Sequence, residues 1–86
     1  MTPDDEILFG HVQDECPTSY ERVAALARQA NTGSAPSDLA LALAVFELHG
    51  ATLRSFMGWY PDDTRVRAAL ADWELFGANL GATLTP

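Results

Sequence analysis

The sequence predicts an all-α fold, a compact four-helix bundle-like domain spanning residues 1–86. Two observations lead to this prediction. Apolar residues recur at helical spacing in four segments, and the segments are separated by residues that start or stop helices. A hydrophobic content of 48% with only 20% charged residues is typical of a folded domain rather than a disordered chain. We therefore expect one helical domain without linkers.

Residues 37–57 are predicted to form the third helix and the centre of the domain. Residues 39–46 are apolar without interruption, so this helix is expected to be covered on every side by its neighbours. The alternation of Leu and Ala would also fit a strand, but alanine favours helices and the apolar spacing continues to Met57. Gly50, in the middle, predicts either a kink or a close approach of another backbone.

Two shorter helices are predicted before it. Thr2 and Pro3 are typical of a helix start, and the first helix is expected to end near Glu15, where Pro17 would stop it. Residues 18–21 match a capping box, which predicts that a second helix begins there.

The segments after these helices contain turn signals and a last helix. Residues 31–36 are predicted to form the longest loop. The fourth helix is expected to begin near Pro61, with an ion pair between Asp63 and Arg67, and the tail at residues 83–86 is expected to fray.

Charge and cysteine content limit the partners and the compartment. The formal charge of −7 repels phosphate backbones and anionic lipids, so we expect neither direct nucleic-acid binding nor membrane binding. The single cysteine and an N-terminal stretch unlike a signal peptide predict a cytoplasmic protein. All five basic residues are arginine, which we interpret as the codon bias of a bacterial or phage genome.

The residues capable of chemistry are few. His11, Glu15 and Cys16 lie close together in the chain, and a metal site would also need Glu47 or His49 to approach four ligands. An ordinary exposed histidine–carboxylate pair is the simpler interpretation. We predict no catalytic residue, no cofactor and no metal ligand.

Aromatic residues are the candidate partner-binding residues. Five of them fall within 21 residues, and large aromatics are enriched as interface anchors. The alternative is that they pack together as one end of the core. The five are Phe56, Trp59, Tyr60, Trp73 and Phe76.

These observations favour a small acidic, non-enzymatic interaction protein: a regulator, inhibitor or assembly subunit. It would present an apolar and acidic surface to a protein partner, and a basic surface on that partner would complement the acidic groups. We also expect the protein to self-associate as a homo-oligomer. One alternative is an acidic nucleic-acid mimic that blocks a DNA- or RNA-binding protein, which requires carboxylates gathered on one face. A second is a small helical ligand carrier or enzyme, which requires buried polar groups converging on a pocket.

Overall fold

The computed structural model describes residues 1–30 and 36–84, which form three α-helices. They are α1 (Pro3–Ala30), α2 (Pro36–Trp59) and α3 (Thr64–Leu84). The all-α prediction is confirmed, whereas the predicted number of four helices is wrong. Residues 31–35 of the loop predicted at residues 31–36, and the last two residues of the predicted tail, lie outside the described residues.

The miscount arises because α1 continues through Pro17. A proline inside a helix removes one hydrogen bond and costs roughly 3 kcal/mol, so the sequence rule predicted a break. Pro17 and Gln13, whose carbonyl loses that bond, are both exposed. The buried stripe crosses the proline at unbroken 3–4 spacing, which keeps one continuous helix packed on the core. Its members are Phe9, Val12, Cys16, Ser19, Val23 and Ala27.

Side chains cap two of the helix starts. The Thr2 hydroxyl accepts a hydrogen bond from the Asp5 amide at 3.2 Å, as its position before Pro3 predicted. Asp63 accepts one from the Arg65 amide at 2.9 Å and so caps α3. The predicted capping box at residues 18–21 is wrong, because these residues lie inside α1.

The three helices pack pairwise around one core. The molecule is elongated, with principal extents of 45 × 21 × 16 Å. Its largest fully buried side chains come from all three helices: Phe56, Leu53, Val23 and Val66.

Gly50 lies where α2 packs against Trp73 of α3. A Cβ atom built on Gly50 would overlap the indole ring of Trp73, so only glycine leaves room for this ring. The indole stacks on Phe46 with ring centroids 5.1 Å apart, and its Nε1–H donates to the Phe46 carbonyl at 3.0 Å. The predicted close approach at Gly50 is present, although a side chain rather than a backbone makes it.

The expectation that residues 37–57 are covered on every side is wrong. One face of α2 is buried, including Ala42, Phe46 and Leu53, but the opposite face is open to solvent. The physical reason is the number of helices: α1 and α3 together cover one side of α2, and the described chain offers no fourth helix for the other side. The predicted third helix is thus the second helix, and it is buried on one side only.

Candidate interaction surface

Four apolar residues form a continuous exposed stripe along the open face of α2. We call Leu41, Ala44, Val45 and Leu48 the outer stripe. Leu41 and Leu48 are 62% and 63% exposed, and Val45 is 38% exposed. At about 100° per residue the four side chains point within an arc of roughly 100°, so they make one surface about 10 Å long.

The four residues of the outer stripe are all apolar, and the charged residues nearest to them along α2 are Asp38 and Glu47. Between Asp38 and Glu47, α2 contains no charged residue. Five helical turns beyond Leu41, Trp59 points to the same side of the helix and is 63% exposed. Its ring makes an edge contact with buried Phe56, at a centroid distance of 5.7 Å, which supports its position at the surface.

A groove between α1 and α2 borders the stripe. Its volume is about 180 Å³, and Leu41 and Val45 form part of its wall. The α1 side contributes polar groups, including Glu15, Thr18 and Arg22. The arrangement is an apolar strip with a polar rim, which is the usual anatomy of a protein interface.

Below the groove, Ser19 and His49 join α1 to α2. The Ser19 hydroxyl and His49 Nδ1 lie 3.2 Å apart in a hydrogen bond. Burial lowers the pKa of His49; the nearby Glu15 carboxylate opposes this shift and His11 adds to it. Ser19 is the one polar residue in the buried core of the described chain. Sequence reasoning missed this pair, because only the packing of two helices brings residues 19 and 49 together.

The Ser19–His49 pair has the composition of a nucleophile and a base. Such chemistry also needs free backbone amides or other donors to stabilise an oxyanion. Ser19 lies in the interior of α1, where backbone amides are used by the helix itself. The geometry therefore suits a hydrogen bond that holds α1 against α2.

A polar cluster ties the start of α1 to the turn between α2 and α3. The Tyr60 hydroxyl donates to Asp5, which lowers the pKa of Asp5 and raises that of Tyr60. Arg65 binds both oxygens of Glu6, at 2.8 and 3.1 Å, and also donates to Asp63 at 3.1 Å. These bonds to Arg65 lower the pKa values of Glu6 and Asp63. The ion pair predicted between Asp63 and Arg67 is replaced by the one with Arg65; Arg67 instead lies 3.8 Å from Asp62.

The five candidate aromatics do not form one cluster. Phe56 and Trp73 are buried, Tyr60 and Phe76 are half-buried, and Trp59 alone of the five is mainly exposed. Phe56 contacts Trp59 and Tyr60, while Phe76 stacks on a residue of α1, Tyr20, at 5.1 Å. Phe56 and Trp73 belong to the core, and Tyr60 and Phe76 pack against it. Partner binding by these aromatics stays a prediction, and Trp59 is the member most open to solvent.

Both the nucleic-acid mimic and a metal site would depend on where the acidic side chains lie. Carboxylates occur on all three helices, and the consecutive Asp4, Asp5 and Glu6 point about 100° apart, so they share no single face. Within residues 1–30 and 36–84, no group of three histidine, cysteine or acidic side chains is placed to hold a metal ion.

Cys16 lies beside a second cavity, of about 220 Å³, at the junction of the three helices. Burial raises the pKa of its thiol, and the nearby Asp72 carboxylate raises it further. A neutral buried thiol behaves as a small apolar core group.

The segment Ser37–Trp59 is long and apolar enough, by length and composition, to cross a membrane. Helices in the core of soluble proteins meet the same criterion, and 28% of the most apolar window is buried here.

No known protein-family model, curated protein or solved structure matches this chain. The signal for the outer stripe is present in the sequence, because Leu41, Val45 and Leu48 belong to a second apolar face of the central segment. Only the packing shows that this face stays uncovered while the first face is buried.

Proposed function

We propose that this protein is a small acidic interaction protein that binds protein partners through the outer stripe of α2. The observation that carries this proposal is the exposure of Leu41 and Leu48, 62% and 63%, at the two ends of an apolar stripe on α2. Its action would be non-enzymatic, as a regulator, inhibitor or assembly subunit.

Exposed single leucines are common on protein surfaces, but a contiguous apolar face bordered by polar groups is typical of a binding site. The outer stripe is contiguous along two turns of α2, and the groove beside it adds a polar rim that includes Arg22 and Asp38. An amphipathic helix or a helix pair from a partner fits such a surface, because its apolar residues can pack beside Leu41, Val45 and Leu48.

The remaining surface supports the same role. The net charge of −7 keeps the chain soluble despite the uncovered face and favours the approach of a basic surface. Trp59 lies about three turns beyond Leu48 on the same side of α2, and it supplies a large aromatic of the kind that anchors interfaces.

The test is a capture experiment in the organism that encodes the chain. A tagged wild-type protein is compared with Leu48→Arg, which places a charge in the outer stripe, and with Leu75→Arg. Leu75 is a matched control because it is 59% exposed on α3, away from the stripe. We expect specific proteins to be retained by the wild type and by Leu75→Arg, and to be lost with Leu48→Arg.

Equal capture by both variants, with both folded by circular dichroism, would contradict a binding role of the outer stripe. Capture lost equally in both variants would show that exposed apolar residues bind non-specifically, and would also count against the proposal.

A further inference from the structure

We propose that the outer stripe is the contact surface of a homodimer in which two copies of α2 lie antiparallel. This inference rests on the proposed function and specifies one partner of the same surface, a second copy of this chain.

The first argument is the symmetry of the stripe. The residues Leu41, Ala44, Val45 and Leu48 have the same spacing in both chain directions, about a point between residues 44 and 45. A two-fold axis at this point sets Leu41 of each copy level with Leu48 of the other. It brings the two Val45 side chains together beside the two Ala44 methyl groups. A two-fold contact requires this reciprocity, in which one patch is complementary to itself.

The second argument is close packing. Alanine at position 44 lets the helix axes approach to about the 8–10 Å that packed helices adopt. Leu41 and Leu48 then fill the space between the two helices, which widens with distance from the two-fold axis. The arrangement covers the face of α2 that α1 and α3 leave open, where Leu41 and Leu48 are 62% and 63% exposed.

The third argument is size. With the axis between residues 44 and 45, the α2 helices overlap over residues 36–53, roughly 27 Å at 1.5 Å per residue. Such a contact covers Leu41, Val45 and Leu48, and the groove wall from α1 has to supply the remainder of the roughly 800 Å² per partner that stable interfaces bury. An 86-residue chain buries a smaller fraction of its surface than a larger domain does, so further apolar burial on association adds to its stability.

The fourth argument is charge. Two copies carry −7 each, and the overlap over residues 36–53 includes the exposed Asp38 and Glu47, which lie on either side of the uncharged residues 39–46. In the antiparallel arrangement the two Asp38 carboxylates lie about 20 Å apart along the helices, beyond the Debye length of roughly 8–10 Å in physiological salt. The two Glu47 residues lie only about 8 Å apart along the helices, but they point about 110° away from the centre of the stripe, toward the edge of the contact. A membrane surface is less suitable, because Glu15 and Asp38 line the same groove and would face anionic headgroups.

Sedimentation equilibrium of the full chain is the first test. At about 50 µM we expect a dimer for the wild type and for the control Leu75→Arg, and a folded monomer for Leu48→Arg. A wild-type monomer at this concentration would overturn the proposal, and so would a Leu48→Arg protein that stays dimeric. Binding of the wild-type monomer to phosphatidylcholine vesicles would instead assign the stripe to a lipid surface.

Cysteine cross-linking tests the antiparallel geometry. In a Cys16→Ala background, Val45→Cys places the two thiols near the axis, within the Cα separation of roughly 4.4–6.8 Å that a disulfide requires. Thr52→Cys lies on the same side of α2, but in two antiparallel copies the thiols are about 22 Å apart along the helices. Oxidation should cross-link Val45→Cys and leave Thr52→Cys uncross-linked. Cross-linking of both would indicate parallel helices, and cross-linking of Thr52→Cys alone a different interface; either overturns the proposal.

The two proposals fail separately. If host proteins are captured through Leu48 while the purified chain is a monomer, the interaction function stands and the homodimer is wrong. If the chain dimerises through Leu48 and captures nothing else, the homodimer stands and the binding of other proteins is wrong.

Discussion

The contact between Gly50 and Trp73 shows how much of the packing between α2 and α3 depends on one missing side chain. The indole of Trp73 occupies the space where a Cβ at position 50 would lie, and its N–H bonds the carbonyl of Phe46 one turn earlier. Arg54 adds a cation–π contact on the same ring, 4.8 Å from its centroid. Glycine therefore sets the distance between the two helices at this point.

We predict that Gly50→Ala destabilises the fold by about 1–3 kcal/mol, since the added methyl group displaces the Trp73 ring from a filled site. Gly58→Ala is the matched control, because no atom lies within 4 Å of a Cβ at that exposed position of the same helix. The control should stabilise the helix by up to about 1 kcal/mol through its higher propensity. Urea unfolding measures both, and two changes of the same sign would contradict the role assigned to Gly50.

His49 is a single residue that makes the stability of the fold depend on pH. Its pKa is lowered in the folded protein from an ordinary value of 6.5, chiefly by burial, so the unfolded chain takes up a proton more readily. The stability associated with neutral His49 is complete above about pH 6.5 and is lost as the pH falls through the folded-state pKa. The groups facing it are Glu15, His11 and the hydroxyl of Ser19.

We therefore expect the free energy of unfolding to fall between about pH 7.5 and 5 in the wild type, and to vary less over this range in His49→Gln. Because burial is the largest cause of the lowered His49 pKa and His11 the smallest, His11→Gln should keep most of the wild-type trend. The carboxylates held by Tyr60 and Arg65 also have lowered pKa values, but their contribution is lost at lower pH, below about 4.5. A wild-type pH profile in His49→Gln would show that this imidazole is not responsible.

At the scale of single elements, local rules and long-range periodicity disagree at Pro17. The local rule, that proline ends a helix, predicted two short helices. The buried stripe of α1 continues from Val12 through Cys16 to Val23 at helical spacing, and burying this stripe on α2 and α3 outweighs the missing hydrogen bond. The sequence contains both signals. Whether the free energy gained by burying the stripe exceeds the cost of Pro17 depends on tertiary contacts, which the sequence does not give.

Replacing Pro17 should accordingly stabilise the protein. Pro17→Ala restores an amide that can bond the Gln13 carbonyl, and we expect a gain of about 1–3 kcal/mol, reduced by the greater freedom of the unfolded chain. The position is exposed, so no core contact is lost. Thermal unfolding followed by circular dichroism measures the shift. A lower midpoint for the variant would mean that the proline contributes to the native packing of α1.

The candidate surface could be predicted only in part from the sequence. The buried face of α2 was evident from the spacing of Phe46, Leu53 and Met57, and the second face from Leu41 and Val45. Helical periodicity gives the direction of each side chain but does not say which neighbours cover it. Trp59 illustrates the limit, since its contact with Phe56 and its 63% exposure depend on where α1 and α3 lie.

At the scale of the whole fold, the three helices of residues 1–30 and 36–84 leave an apolar face of α2 uncovered, which a fourth helix would have covered. The all-α class followed from composition and periodicity, whereas the helix count depended on one proline. The difference matters for function, because in a four-helix bundle the residues of the outer stripe would have been part of the core.

The homodimer that we propose makes stability depend on concentration. We expect the unfolding midpoint of the wild type to rise between about 2 and 200 µM, because mass action favours the associated folded state. Leu48→Arg should unfold at the same temperature at both concentrations. Leu75→Arg should follow the wild type. A midpoint independent of concentration in the wild type would contradict the association.

The bonds of Asp5 and Glu6 to Tyr60 and Arg65 have a practical consequence for such measurements. They hold the amino terminus at the end of the molecule where α2 ends, about 27 Å along α2 from Leu41 and about 17 Å from Leu48. A peptide tag, dye or resin attached ahead of Met1 is therefore directed away from the leucines, and it is the attachment point that leaves them accessible for capture and sedimentation experiments.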